Sequence, residues 1–279
     1  MTITGNAALA GVLGWPINHS KSPVLHGYWL RQHAIDGAYV PLAVAPERFA
    51  EAVPALAALH FQGANVTVPH KERALAVCDT VDAHARRLGA VNTLIFGTDG
   101  GIHGRNTDGV GFLNNLRQGA PGWSPADGPA VVVGAGGAAR AVAVALADAG
   151  VPAVRVLNRT RHKAEALAGE LGGPLTVADW ADPAPSLGDA ALLVNTTSLG
   201  MTGEPPLPLD LAPLPTTAVV NDIVYKPLET DLLARARARG HPVVDGLGML
   251  LHQAVPGFAA WFGVTPEVTD GLRAHVLAA

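Results

Sequence analysis

The stretch VVVGAGGAA, residues 131–139, decides the fold of this chain. Three valines form a strand pattern, the spacing G-x-G-x-x-A follows, and an apolar helix pattern comes next. In this context, Gly134 permits a tight turn, Gly136 lets the backbone approach a pyrophosphate, and Ala139 lets helix and strand pack closely. The helix start then offers N–H groups and a positive dipole end to phosphate. The stretch predicts a dinucleotide site; the alternative is an ordinary glycine turn of an α/β fold.

Strand and helix patterns alternate on both sides of this turn, and a loop rich in Gly and Pro, residues 119–129, lies between the two halves. Strands are predicted at residues 10–13, 38–43, 63–68, 91–96, 102–105, 130–133, 153–158, 192–195, 219–222 and 242–245. Helices are predicted at residues 23–33, 45–59, 69–77, 110–117, 136–149, 162–171, 228–239, 247–262 and 265–277. The later strands are continuous apolar runs, which is typical of a parallel sheet covered on both faces. We therefore expect a two-domain α/β protein: an N-terminal α/β domain over residues 1–107, then a Rossmann-type domain over residues 108–245.

Composition restricts the class of partner. The chain has 279 residues, 49% of them hydrophobic, and a formal net charge of -4. An acidic chain is a poor partner for nucleic acid, which requires a basic face. The single cysteine, Cys78, excludes a disulfide within the chain and a thiolate metal site, and we interpret it as a structural thiol. No signal peptide or membrane-length apolar run is present, so the sequence predicts a cytoplasmic protein with no metal and no membrane partner.

The residue after the second strand of the dinucleotide domain indicates the cofactor. An NAD site places an acidic residue about 20 positions after the glycines, on the ribose 2′-hydroxyl. Here Asn158, Arg159 and Thr160 occupy that place, and Lys163 follows. A guanidinium can pair bidentately with a 2′-phosphate, so Arg159 favours NADP(H). The alternative is a solvated basic turn.

Polar residues cluster in the first half, after predicted strands, at residues 18–23, 65–71, 92–93 and 106–108. In open α/β sheets, ligands bind at the carboxyl ends of strands. Hydroxyls and amides there suit a substrate with several hydroxyl groups. Lys71 and Asp108 are the obvious charged pair, and a lysine beside an aspartate can exchange a proton with a carbonyl oxygen during hydride transfer.

Each of these polar residues also has a structural alternative. Ser20, Ser22 or Asp108 could cap the helix that follows it. Asn65 and Asn92 could connect loops, and Lys71 could be a solvated surface lysine. Their joint placement favours a site.

Seven segments together resemble the shikimate dehydrogenase family across nearly the full length of the chain: residues 14–23, 65–71, 89–93, 104–109, 134–139, 158–160 and 245–253. The resemblance implies NADPH-linked reduction of 3-dehydroshikimate to shikimate, a step of chorismate and aromatic amino acid biosynthesis. It implies that Lys71 and Asp108 are the catalytic pair. It also implies that the last helices, from Gly246 to residue 279, complete the first domain.

The resemblance assigns the binding residues by position. The substrate residues it implies are Ser20, Ser22, Asn65, Thr67, Lys71, Asn92, Asp108, Tyr225 and Gln253. The cofactor residues it implies are Gly134, Ala135, Gly136, Gly137, Ala138, Asn158, Arg159, Thr160, Lys163, Thr196, Val224 and Gly246. The chain departs from the family pattern at Thr196, where alanine is usual, and at Val224, where a larger residue sometimes packs on the nicotinamide.

Several alternatives remain open from the sequence. Quinate and aminoshikimate dehydrogenases share the family plan. A non-catalytic metabolite sensor is an alternative of another class, although both Lys71 and Asp108 are present. A folate-linked dehydrogenase should have a more aromatic site than a chain with 5% aromatic residues allows. The sequence does not determine the oligomeric state, and a homodimer is compatible with it.

Overall fold

The computed structural model describes residues 3–279, which form two compact units. The first unit contains Met1–Thr107 and Gln253–Ala279, and the second contains Asp108–His252. The family resemblance placed the return to the first domain at about Gly246. The division instead falls within the helix Leu247–Phe262, so the beginning of that helix groups with the second unit.

A mixed six-stranded sheet forms the first unit, with the strand order β2-β1-β3-β5-β6-β4. Its elements are β1 (Ala8–Gly14), α1 (Ser22–Gln32), β2 (Gly37–Ala43), α2 (Phe49–Ala58), β3 (Gly63–Val66), β4 (Thr80–Val81), α3 (Ala83–Leu88), β5 (Thr93–Phe96) and β6 (Ile102–Arg105). β1 pairs in parallel with β2 and β3, whereas β5 is antiparallel to both β3 and β6. The strands predicted at residues 91–96 and 102–105 are therefore the two arms of an antiparallel hairpin.

The C-terminal segment packs against this first sheet. Trp261 donates its indole N–H to the carbonyl of Leu94 in β5 at 2.9 Å. Trp29 in α1 donates its indole N–H to the carbonyl of Glu267 at 3.1 Å. These two hydrogen bonds connect the end of the chain to the first unit.

One expectation about the first unit was wrong, and two short elements were not expected. Residues 69–77 were expected to form a helix, but the structure has a 3-10 helix only over Arg73–Val77. Lys71 lies in a loop, and its carbonyl accepts a hydrogen bond from Val91 N at 2.8 Å, two residues before β5. The short elements β4 and α3 were not predicted.

A parallel six-stranded sheet forms the second unit, with the strand order β12-β11-β10-β7-β8-β9. Its elements are α4 (Asp108–Gly119), β7 (Ala130–Val133), α5 (Gly137–Asp148), β8 (Val154–Leu157), α6 (Arg161–Leu171), β9 (Leu175–Ala178), α7 (Ala184–Leu187), β10 (Leu192–Asn195), β11 (Val219–Asp222), α8 (Asp231–Ala238) and β12 (Val243–Val244); α9 (Leu247–Phe262) and α10 (Asp270–Ala278) follow. Read from β7 as the first strand, this is the 3-2-1-4-5-6 order of the Rossmann fold.

The apolar run of β7 is buried on both faces. Val131 and Val133 belong to one hydrophobic cluster, and Ala130 and Val132 belong to another. Alternate residues of one strand therefore serve two cores, as expected for a sheet covered by helices on both sides. Within residues 3–279, no helix is long and apolar enough to cross a bilayer.

Candidate active site

The glycine turn between β7 and α5 forms an open cradle. Gly134 has φ of 116°, a value that favours glycine, and a Cβ there would lie 2.6 Å from the Thr196 hydroxyl. A Cβ on Gly136 or Gly137 would meet nothing within 4 Å. No side chain caps the start of α5, so its first N–H groups are available to a ligand. This cradle, which also includes Ala135 and Ala138, fits a pyrophosphate.

The cradle lies where the strand order of the second sheet reverses. β7 lies between β8 and β10, and such a switch point is where open α/β sheets bind ligands. Thr196 directly follows β10 and donates to the carbonyl of Val133 twice, from its backbone N at 2.9 Å and from its hydroxyl at 2.6 Å. Thr196 therefore holds the loop after β10 against the start of the glycine turn.

The turn after β8 carries the residues expected to select the cofactor. Asn158, Arg159, Thr160 and Lys163 lie in this turn and at the beginning of α6, and the Asn158 amide donates to the Thr160 carbonyl at 2.8 Å. Arg161 forms an ion pair with Glu165 at 2.8 Å, whereas the side chain of Arg159 is exposed. β8 is the neighbour of β7, so an exposed guanidinium stands beside the strand that carries the glycine turn. A 2′-phosphate would find a cation there.

The loop after β11 is held on two sides. Val224 N donates to Asp222 Oδ1 at 3.0 Å, and Gly246 N donates to the Val224 carbonyl at 3.3 Å. A Cβ on Gly246 would lie 2.1 Å from the carbonyl oxygen of Ile223, so the close approach requires glycine. Val224 is buried, and burial raises the pKa of the half-buried Tyr225. The backbone of Val224 is therefore fixed at both its N–H and its carbonyl.

In the first unit, the predicted polar residues collect at one edge of the sheet. Ser20 and Ser22 follow β1, Thr67 and Lys71 follow β3, and β1 and β3 are parallel neighbours. Because β5 is antiparallel to β3, its first residues lie at the same edge, directly after Asn92. The edge therefore brings together a hydroxyl-rich set with one lysine.

The predicted asparagines form a buried network at this edge. Asn65 accepts from the Tyr39 hydroxyl at 2.6 Å, and its amide donates to the Asn92 carbonyl at 3.2 Å. The side-chain oxygen of Asn92 accepts from the backbone N of Thr107 at 2.9 Å and from the Thr93 hydroxyl at 2.9 Å. Only 6% of Asn65 and 2% of Asn92 is exposed. Other protein groups orient both side-chain amides. Asn65 and Asn92 therefore do connect loops, which was the structural alternative to a role in substrate binding, and the two roles are compatible.

The remaining predicted residues divide between the units. The carbonyl of Gln253 accepts from the Thr107 hydroxyl at 2.8 Å within the first unit. Asp108 is the first residue of α4 and, like Tyr225, belongs to the second unit. Ser22 is likewise the first residue of its helix, and its N donates to the Ser20 hydroxyl at 3.3 Å. Asp108 and Ser22 therefore lie within their helices, and the residue before α1, Lys21, makes no side-chain cap.

An aromatic cluster supports the network from the core. The His26 ring stacks on Tyr39 with 3.9 Å between ring centroids, and both side chains are buried. Neither ring nitrogen of His26 has a hydrogen-bond partner within residues 3–279. Burial lowers the pKa of His26 to about 3 and raises that of Tyr39 well above its usual range. Two buried, uncharged rings therefore stack behind Asn65, and the Tyr39 hydroxyl orients its amide.

Sequence reasoning missed several polar residues that shape the site. They are Tyr39, Asn195, Asp222 and Thr230. A usable signal was present for two of them, because Asn195 and Asp222 end apolar runs that were predicted as buried strands. A polar side chain at a buried strand end needs partners, and those partners are commonly neighbouring loops.

Neither the single cysteine nor a cluster of metal-ligating side chains contributes to the site described above. The Cys78 thiol donates to the Ala74 carbonyl at 3.0 Å, and burial, together with the nearby Asp79, raises its pKa to about 11. Such a thiol is a weak nucleophile. Across the described part of the chain, His, Cys, Asp and Glu side chains form no cluster suited to a metal ion.

Comparisons with known proteins agree with this arrangement. Two family models match: "Shikimate dehydrogenase substrate binding domain" over residues 12–94 and "Shikimate / quinate 5-dehydrogenase" over residues 124–199. The chain is 66% identical to the shikimate dehydrogenase (NADP(+)) of Paramagnetospirillum magneticum, over 99% of this chain and 100% of that protein. It resembles the Thermus thermophilus shikimate 5-dehydrogenase solved with NADP(H) and shikimate, at a TM-score of 0.86, 38% identity and coverage of 97% and 99%. It also resembles the Corynebacterium glutamicum quinate dehydrogenase solved with NAD. That likeness has a TM-score of 0.91 and 31% identity, and it covers 98% of this chain and 99% of that chain. The chain belongs to the shikimate dehydrogenase family.

Proposed function

We propose that the protein catalyses the reversible, NADP-dependent reduction of 3-dehydroshikimate to shikimate. The observation that carries this proposal is the 66% identity over the full length of a relative that bears this activity in its name. The polar edge of the first unit supports a polyhydroxylated substrate. The glycine cradle of the second unit supports a dinucleotide cofactor, and the exposed Arg159 after β8 supports NADP(H) rather than NAD.

Lys71 is the proposed proton partner. When bound, the cofactor supplies a hydride to the carbonyl carbon of the substrate or removes one from the alcohol carbon. Reduction leaves negative charge on the former carbonyl oxygen, and the Lys71 ammonium donates a proton to it. In the oxidation direction, neutral Lys71 accepts the proton of the hydroxyl. Asp108 is the proposed second member of the pair, as the acceptor of a hydrogen bond from a substrate hydroxyl.

The hydroxyl and amide residues orient the ring of the substrate. Ser20, Ser22, Thr67 and Asn92 offer donors and acceptors at one sheet edge, and the oriented amide of Asn65 lies beside them. Tyr225 and Gln253 are proposed to complete the binding set. Fixed polar groups lower the entropic cost of holding the reacting carbon in place.

A matrix of two substrates and two cofactors tests the proposal. Purified protein is incubated with shikimate or quinate, each with NADP or NAD, and formation of the reduced cofactor is followed by absorbance. We expect shikimate with NADP to give the highest kcat/KM. Preferred turnover of quinate with NAD would assign the chain to the quinate branch, and absence of turnover in all four mixtures would favour a metabolite sensor.

Assembly and location complete the proposal. A cytoplasmic location is the sequence-based expectation, and a homodimer is compatible with the sequence. Sedimentation velocity over a range of protein concentrations tests the homodimer. A single monomer boundary at all concentrations would contradict the homodimer.

A further inference from the structure

Asp222 is a buried carboxylate at the end of β11 that the proposed reaction does not use. None of its surface is exposed. Its Oδ1 accepts from the Asn195 amide at 3.0 Å and from Val224 N at 3.0 Å, and its Oδ2 accepts from the Thr230 hydroxyl at 2.7 Å. Burial raises the pKa of Asp222, and these hydrogen bonds oppose the rise. Three donors from three different residues converge on this carboxylate, and we call this arrangement the Asp222 junction.

The network continues from Asp222 into the loop after β10. The amide of Asn195 also donates to the Leu199 carbonyl at 3.0 Å. Its side-chain oxygen accepts from the backbone N of Thr197 at 3.1 Å and from the Thr197 hydroxyl at 2.7 Å. Every polar atom of the Asn195 side chain is therefore used, and it fixes the loop that contains Thr196.

The same carboxylate fixes the loop after β11. Val224 N is held by Asp222, and the Val224 carbonyl is held by Gly246. Thr230, which caps α8, connects the far end of this loop to the carboxylate. One side chain thus links the loops after two adjacent strands at the ligand-binding edge of the sheet.

We propose that Asp222 is a positioning residue that sets the loops carrying Thr196 and Val224 for the cofactor. The inference rests on the proposed function for the identity of the cofactor. It concerns Asp222, which lies outside the predicted set of cofactor residues, and it predicts weaker NADP binding when the hydrogen bonds of Asp222 are removed. Loss of a buried acceptor frees three donors at once, so both loops relax together.

Asn221 provides a matched control in the same strand. It is also fully buried, and its amide donates to the Val244 carbonyl of β12 at 3.1 Å. Neighbouring residues of a strand point to opposite faces. Asn221→Ala therefore removes a buried polar side chain from β11 without cutting the Asp222 junction.

The experiment compares full-length wild type, Asp222→Ala, Asp222→Asn and Asn221→Ala by thermal unfolding and by calorimetric titration with NADP. We expect Asp222→Ala to bind NADP on the order of tenfold more weakly, with kcat for shikimate oxidation reduced at least as much. Asp222→Asn keeps the volume and one acceptor, so it should fall between wild type and Asp222→Ala. Asn221→Ala should bind NADP with an affinity within about twofold of wild type, even if its Tm falls as far as that of Asp222→Ala.

The outcomes separate positioning from simple stability. Equal loss of NADP affinity in Asp222→Ala and Asn221→Ala would overturn the proposal. If Asp222→Ala does not fold, wild-type affinity in Asp222→Asn would overturn it. Wild type that binds NADP without oxidising shikimate would refute the proposed function alone, since the calorimetric comparison still decides the role of Asp222. Wild type that binds no NADP would overturn both.

Discussion

Replacing His26 by phenylalanine should make the first unit markedly more resistant to acid. The ring of His26 is fully buried among Trp29, Tyr39, Phe258 and Trp261, and it forms no hydrogen bond with the described residues. A phenyl ring fits among these aromatic side chains. The Asn65 side chain opposes the lowering of the His26 pKa, but burial is the larger effect. The substitution therefore chiefly removes a titratable group.

The magnitude follows from the difference in pKa between the folded and unfolded states. Burial lowers the pKa of His26 from 6.5 to about 3. The folded state keeps the ring neutral, so the unfolded state binds the extra proton as the pH falls through 6.5. The contribution of neutral His26 to the free energy of unfolding is fully present above pH 6.5 and is lost progressively as the pH falls toward about 3. The loss is about 2 kcal/mol at pH 5 and approaches about 5 kcal/mol at pH 3.

The assay is urea unfolding at neutral pH and near pH 5, followed by tryptophan fluorescence. Trp29 and Trp261 each lie 5.7 Å from the His26 ring, so the signal includes the unit of interest. His33→Phe is the matched control, because His33 is exposed in the same region. We expect the advantage of His26→Phe over wild type to grow by about 2 kcal/mol between the two pH values, while His33→Phe shows no such growth. An identical pH dependence in wild type and His26→Phe would refute the reasoning.

Three further substitutions test the site itself. Lys71→Ala or Lys71→Met should lower kcat by about a hundredfold or more in steady-state assays and leave calorimetric NADP affinity nearly unchanged; turnover within a few-fold of wild type would remove Lys71 from the mechanism. Arg159→Ala should raise KM for NADP by about tenfold and leave KM for NAD unchanged, whereas Arg161→Ala should have little effect because Arg161 already pairs with Glu165. Equal effects of both arginine variants would leave the choice of NADP unexplained. Gly136→Ala meets no neighbour within 4 Å, so Tm should stay within about 2 °C while NADP affinity falls; a lower Tm with normal affinity would contradict the open cradle.

The second unit was largely predictable because its signals are local. The glycine spacing of residues 131–139 and the apolar runs of the strands predicted a parallel sheet, and the structure confirms it. Short or weakly patterned elements escaped notice. The edge strand β9 has only four residues, and its Thr176 is exposed, so no continuous apolar run marks it.

Helix boundaries were predicted less well than helix existence. Residues 228–239 were expected to be helical, but α8 begins at Asp231 after the cap of Thr230, whose hydroxyl accepts from Leu233 N at 3.3 Å. The last helix likewise begins at Asp270 after Thr269 rather than near residue 265. In both cases a threonine cap sets the start, and cap chemistry was visible in the sequence.

The buried polar networks could not be predicted from local patterns. Asn65 and Asn92 are 27 residues apart, as are Asn195 and Asp222, and each pair meets only through the sheet. The sequence indicated which residues are polar at strand ends. Which of them face each other depends on register, and register comes from the packing of the whole sheet.

The kcat/KM of the wild-type protein for NADP and for NAD, measured with saturating shikimate, tests the account most directly. A family fold, a hydroxyl-rich edge with Lys71, and Arg159 beside the glycine turn together predict rapid oxidation of shikimate with NADP preferred by at least about tenfold. Preference for NAD, or no oxidation of shikimate with either cofactor, would contradict it.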